Sequence, residues 1–235
     1  MPKGLQPKGI ARRNKMLLAA ITRFLVDGYE ETTTASIAKA AGMSASSFFA
    51  AFENKEALLL QLVMHMFTGQ FNEIFSIIGS NAEPVMIYAA ETSLQLYLSE
   101  LSEPLRELYV TAYSLPTTSE YIYQNTAKEL EQFFAPYNPG SSSRDFYELE
   151  IGTAGIMRGY MAKKCDIHFP LERKIERFMT LSMRAYRIPE EEQEKVLAYI
   201  KGTDIRAIAD GIMQKLFAAL EMKFDFTLAK VEVSE

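Results

Sequence analysis

Apolar positions return every three or four residues along most of the chain, which is the repeat of one α-helical face. Leu17, Ile21, Phe24 and Gly28 set out a first amphipathic helix. Arg23 and Asp27 interrupt its apolar run, so the segment after Arg12, Arg13 and Lys15 reads as a helix and not as a signal peptide. Ile37, Ala38 and Ala41 give the inward face of a second helix that Thr33 caps. Phe48 and Phe52, four apart, face inward from a third, about Ala45 to Ala51, capped by Ser44. Asn54 caps a fourth that opens at Lys55 and carries Leu62, Met66, Phe67, Phe71 and Phe75 to about Ile78.

The later helices are punctuated by proline, which a first helical turn accepts because its N–H groups lack intrahelical partners. They start at Pro84 (to about Ser99), Pro104 and Pro116 (to near Ala135), then run from about Arg144 to Lys164 after the turn-rich Pro136–Ser143 loop. Two more open at Pro170 (to about Arg187) and Pro189 (to Lys201), and a last one spans Asp204 to about Lys223. That last helix places Ile205, Ile208, Ile212, Leu216 and Ala219 on one stripe. Phe224 to Glu235 alternates weakly and stays unassigned, and no internal repeat is present. The expectation is an all-α chain, with no segment approaching 18 uncharged apolar residues and hence no membrane span.

Thr33 to Lys55 organises the rest. Gly42 sits where the second helix must stop and reverse, a position that favours a residue at ease with positive φ. Helix, glycine turn, helix is the unit that sets its second helix into a DNA major groove, and an ordinary αα-corner shares the same spacing. Residues 11–60 carry Phe24-x-x-x-Gly28-Tyr29, then Thr32-Thr33, then Ile37-Ala38-x-x-Ala41-Gly42-Met43-Ser44, and close on Phe52-x-x-Lys55-Glu56-Ala57-Leu58. This ungapped run resembles the DNA-binding domain of TetR-family transcriptional regulators, and beyond it the chain matches only in helical style.

The resemblance implies a flexible basic arm at 1–10, a helix-turn-helix DNA-binding domain at 11–56, and a larger helical ligand-binding and dimerisation domain at 57–235. It implies double-stranded DNA with a palindromic operator, a small-molecule effector and a second copy of the chain as partners. Candidate phosphate contacts are Arg12, Arg13, Lys15, Thr33, Thr34 and Lys55. The recognition helix departs from its relatives, which usually carry Lys or Arg after the Ser and a Tyr, then His or Tyr, in the second half. Here those positions are Ala45, Phe49 and Ala50. Methyl groups touch a thymine methyl but make no bidentate contact to guanine, so base readout falls to Ser44, Ser46 and Ser47. Modest sequence specificity is expected.

Relatives hold an inducer pocket among the body helices. Phe67, Tyr97, Tyr109, Tyr113, Tyr147, Met157 and Met161 are its candidate walls, and most aromatic residues there serve as plain core. Such walls suit a small apolar or aromatic molecule. Relatives also dimerise through their last long helices, which here means 171–187 with 204–223 and the side chains Phe178, Met179, Ile212 and Leu216.

Charge adds modest support. Residues 1–60 hold eight Lys/Arg against five Asp/Glu, while the remainder is acidic enough to bring the whole chain to −5. A basic module on an acidic body suits local phosphate contact. One Cys excludes an intrachain disulfide and fits a reducing cytoplasm. Cys165 and His168 lack the further ligands a closed zinc site needs, and no phosphate-loop, metalloprotease or nucleophile-elbow motif occurs, so neither metal, cofactor nor enzymatic activity is expected. Two other readings stay open: a helical ligand- or partner-binding protein that keeps the head as scaffold, and an enzyme, which a polar, titratable cavity lining would favour.

Overall fold

The computed structural model describes residues 7–67, 70–79 and 82–219, and among them every regular element is helical. The head comprises α1 (Pro7–Asp27), α2 (Thr34–Ala40) and α3 (Ala45–Phe49). The body follows with α4 (Lys55–Phe67), α5 (Gln70–Ile78), α6 (Pro84–Leu101) and α7 (Glu103–Ala112). It continues through α8 (Pro116–Phe134), α9 (Ser143–Ala162), α10 (Leu171–Ala185), α11 (Glu190–Gly202) and α12 (Ile205–Ala219).

Several boundaries differ from the sequence expectation. The first helix begins at Pro7, inside the segment assigned to a free arm, because a proline fits a first turn and Ile10 extends the pattern. The expected Lys55–Ile78 helix is described as α4 and α5, with residues 68–69 outside the described set. Residues 224–235 also lie outside it.

The head packs around Met16, Phe24, Ile37 and Phe48, all fully buried. Phe48 meets Phe52 at 5.9 Å between ring centres and Phe24 meets Tyr29 at 5.1 Å. Burying a ring of this size contributes about 2–3 kcal/mol, enough for a few rings to hold three short helices together. Gly42 adopts φ +70°, so the turn after α2 takes the left-handed step that glycine allows without a Cβ penalty. Met43 N–H then donates to Ala38 O at 2.9 Å, which closes the helix end.

In the body, α6 lies at the centre. It packs against α5, α7, α8, α9, α10, α11 and α12, so almost every position from Val85 to Ser99 is buried. A helix enclosed on all sides is expected to be apolar all round. This one carries Glu91, Thr92, Ser93 and Gln95 in its middle, all buried. At its C-terminal end a charged cluster ties four helices: Glu100 pairs with the fully buried Lys174 of α10 and with Arg106 of α7, and Lys174 also donates to the Lys163 carbonyl after α9. Among the described residues no helix is long and apolar enough to cross a membrane.

Candidate functional site

The head's turn is built by its caps. Thr33 and Ser36 form a reciprocal capping box, with Ser36 N–H donating to Thr33 Oγ1 and Thr33 N–H donating to Ser36 Oγ, each at 3.1 Å. Asn54 caps α4 by accepting from Ala57 N–H at 2.7 Å. Ser44 does not cap α3 through its side chain. Its hydroxyl lies 3.0 Å from Ser46 Oγ and 2.9 Å from Ser47 Oγ, a hydroxyl cluster at the start of a helix of only five residues.

The candidate DNA contacts fall into two groups. Arg12, Lys15, Thr33, Ser44, Ala45, Ser46 and Phe49 are exposed, with Phe49 open over 62% of its surface. Thr34 and Ser47 are half-buried. Exposed Lys39, in the last turn of α2, is a further cation beside the turn that motif reading passed over. Arg13 is partly engaged, its guanidinium 4.7 Å above the centre of the Phe52 ring.

Lys55 is engaged within the protein. Its ammonium donates to Tyr29 O at 2.7 Å and to Glu30 O at 3.4 Å and sits 4.1 Å over the Tyr29 ring. Two carbonyls and a π-face hold it, half-buried, where it ties the start of α4 to the turn after α1. The same turn is held from the body, since Glu107 of α7 accepts from Glu30 N–H at 2.6 Å. Gly28, at φ +86°, has no room for a Cβ beside that carboxylate. Thr117 of α8 also donates to Glu56 of α4, so the helix that leads out of the head is bonded to α8 at its first turn.

The body holds an interior cavity of about 20 Å³, room for little more than one water molecule. Its walls come from α5 through Phe71, α6 through Tyr88, Glu91, Thr92 and Gln95, and the end of α7 through Tyr113. Thr126 of α8, Glu150, Thr153 and Met157 of α9 and Phe178 of α10 complete it. Tyr113 O–H donates to Gln95 Oε1 at 2.7 Å, which orients the amide so that Gln95 Nε2 donates to Glu91 Oε1 at 2.6 Å. Glu150 Oε2 accepts from Thr153 Oγ1 at 2.9 Å and from Tyr186 O–H at 3.2 Å. Tyr88 bonds Ser182 across to α10.

Burial dominates the acid–base behaviour of this lining. It pushes the Glu91 carboxyl up to about 7 against the opposing pull of the Gln95 hydrogen bond. Burial likewise raises Glu150 to about 8, against hydrogen bonds from Thr153 and Tyr186 and with added repulsion from Glu91. The phenols of Tyr88, Tyr109 and Tyr113 are all pushed up, first by burial and then by neighbouring carboxylates.

The cavity includes Tyr113 and Met157 from the expected pocket. Phe67 backs Tyr113 edge-on at 5.9 Å, and buried Tyr109 feels the Glu91 charge. The other three are placed elsewhere. Tyr147 sits on the α8–α9 seam and donates to Glu120 at 2.9 Å. Tyr97 lies near Arg206 and Asp210 of α12. Met161 is buried core that does not line the cavity.

The interface assignment also changes. Phe178 and Met179 are buried within the chain, Phe178 against the cavity and Met179 in the core, its Sδ 3.9 Å from Thr92 Oγ1. Ile212 is half-buried against the same core, and the Leu216 side chain lies outside the described residues. The exposed side of α9 and α10 carries Ile151 and Leu181 instead, with Gly152, Gly155 and Gly159 uncrowded. Among the described residues no group of three or more His, Cys, Asp or Glu could hold a metal ion.

A short, hydroxyl-bearing helix presented after a glycine turn, on a helical body with a polar cavity, is the architecture of a two-domain helix-turn-helix protein. Residues 17–62 match the family model of the bacterial regulatory proteins of the tetR family. Over 59 residues the chain is 34% identical to an uncharacterised HTH-type transcriptional regulator, YdgC, of Bacillus subtilis (strain 168). That match spans 25% of this chain and 30% of the relative's length. Among solved structures, the fold is similar to that of SmeT, the repressor of the Stenotrophomonas maltophilia multidrug efflux pump SmeDEF. It superposes with a TM-score of 0.53 at 18% identity, over 74% of this chain and 89% of that one. The chain therefore carries, over residues 17–62, a segment similar to the bacterial regulatory proteins of the tetR family, on an all-α fold similar to that of SmeT.

Proposed function

We propose that the protein is a dimeric transcriptional repressor that leaves its operator when a small molecule occupies the body cavity. One observation carries this reading: the cavity wall is continuous with the helix that leads out of the head. Phe71 of α5 lines the cavity, and Phe67 at the end of α4 packs on the lining residue Tyr113. The other end of α4 is fastened to the head by Lys55 and to α8 by Glu56. A guest larger than one water must part these walls, and the α4–α5 side transmits the displacement to both heads. Binding of the effector to the DNA-incompetent state must be the stronger, with a coupling typically of about 1–3 kcal/mol.

Dimerisation places two heads about 34–36 Å apart on successive turns of one duplex face. The exposed α9–α10 side, with Leu181 and Ile151 at its centre, is the surface available to a second copy. SmeT is described as a repressor, and the same direction of control is proposed here.

Selection of duplexes from a random library at near-physiological salt tests the reading. Enrichment of a palindrome with half-sites about one turn apart supports it. A folded dimer that enriches nothing overturns it in favour of a ligand-binding protein with a scaffold head.

A further inference from the structure

Three carboxyl groups sit inside the body near α6, and the fold treats them in two ways. Glu100 is neutralised by Lys174 and Arg106. Glu91 and Glu150 are at least as deeply buried, with 3% and 5% of their surface exposed, yet among the described residues neither pairs with a cation. Their hydrogen bonds come from Gln95, Thr153 and Tyr186, which are all neutral donors. Every other titratable group acting on them is acidic: Tyr88 from α6, Tyr109 and Tyr113 from α7 and Tyr186 at the end of α10. Among the described residues no Lys, Arg or His lines the cavity. Burying one unpaired carboxyl costs stability, and a chain that merely needed a packed core would carry Leu or Met in both places.

We infer that Glu91 and Glu150 form the recognition site for an organic cation, an alkylammonium or quaternary ammonium head on an aromatic or apolar body, and that this cation is the effector. The inference rests on the repressor reading and gives its effector a chemical class. Four rings surround the two acids. Tyr88, Tyr113, Phe71 and Phe178 offer π-faces to a positive head and apolar wall to its substituents. In the ligand-free state burial favours the protonated, neutral form of both acids up to about pH 7, which is why they can be buried without a cation. A cation entering between them replaces a proton, so binding expels acid into solution and tightens as pH rises through 7 to 8, the range to which burial lifts the two carboxyls.

The test uses the full chain and three matched probes: benzyltrimethylammonium, its neutral carbon isostere neopentylbenzene, and phenylacetate. Calorimetry at pH 7 in two buffers of different ionisation enthalpy reads both affinity and protons. Since the quaternary cation carries no titratable proton, every proton released comes from the protein. The expected result is at least tenfold tighter binding of the cation than of either other probe, with about one proton released per cation. Glu91→Gln with Glu150→Gln keeps the shape and hydrogen-bond capacity of the neutral acids; it should fold, bind the cation at least tenfold more weakly and release no proton. Equal binding of the isostere, cation binding without proton release, an unchanged double variant, or no cation binding at millimolar concentration overturns the inference. A protein that enriches a palindrome but ignores the cation loses this inference alone. One that binds the cation but enriches no duplex loses the repressor reading while the cation site stands.

Discussion

Head and body solve opposite problems with the same secondary structure. The head buries rings and leaves its polar groups at the surface: Phe24, Ile37 and Phe48 are inside, while Ser44, Ser46, Arg12 and Lys15 are exposed or capping. The body does the reverse at its centre, enclosing Glu91, Gln95, Glu150 and Thr153 among buried apolar side chains and rings. A head that only positions phosphates and short hydroxyls needs a stiff, ordinary core. The body keeps two carboxyls inside its core whose charged forms burial disfavours, the feature on which the proposed response to a guest rests. The difference teaches where stability has been given up for function.

The largest expected effect separates the two regions. Phe48→Ala removes a fully buried ring from the head and should cost about 3–5 kcal/mol there. Duplex binding should vanish while cation binding in the body persists, as read by calorimetry on the same sample. Loss of both together would show one cooperative unit instead of two.

Next comes the pH response of the body. Glu91 and Glu150 hold their protons more tightly folded than unfolded, so the folded state binds more protons between about 4.5 and 8. Their contribution is therefore full below about pH 4.5 and is lost as pH rises through 7 and then 8. The double Gln variant abolishes that loss and should be more stable than the parent at pH 8 by roughly 2–4 kcal/mol for each group. Urea unfolding across pH 4.5 to 8.5 should show the advantage growing with pH. A pH-independent difference would place the acids outside the low-dielectric interior.

Lys55→Met keeps the aliphatic stem over Tyr29 and deletes the bonds to the backbone, at an expected cost of about 1–3 kcal/mol. The slope of duplex affinity against salt should stay unchanged, since this ammonium faces the protein. A slope reduced by about one would restore Lys55 to the phosphate contacts. The smallest effect concerns Ala45→Arg, which adds a cation at the exposed start of α3. It should strengthen binding to all duplexes alike and steepen the salt slope by about one. A gain confined to sites bearing guanine would instead reveal a base contact.

The head was legible because its signals are local. Thr33, Gly42, Asn54 and the Phe48–Phe52 pair each act within four residues, and the structure places the two caps, the left-handed turn and the buried rings as the spacing predicts. The bonds of Lys55 were not legible because its partners, the Tyr29 and Glu30 carbonyls after α1, are 26 and 25 positions upstream. The all-α class and most body helices follow from periodicity and proline punctuation. The cavity does not, since its walls come from six helices and depend on which side of each faces inward. Aromatic richness pointed to Tyr113 and Met157 but equally to Tyr97 and Tyr147, which face other seams. One usable signal was passed over: Glu91 stands in the apolar stretch Val85–Leu98 with no basic residue anywhere in the helix. Phe178 and Met179 look interfacial on a helical wheel, and only the packing of α10 onto α6 and α9 shows that face to be interior.

The account joins the two regions through one claim, that charge taken up in the body is felt at the head. The affinity of the selected duplex should be measured at pH 7.5 with and without saturating benzyltrimethylammonium, for the parent chain and for the double Gln variant. The account predicts a 5- to 150-fold loss of duplex affinity in the parent, equivalent to about 1–3 kcal/mol of coupling, and no change in the variant. An unchanged duplex affinity in a parent protein that demonstrably holds the cation would contradict it.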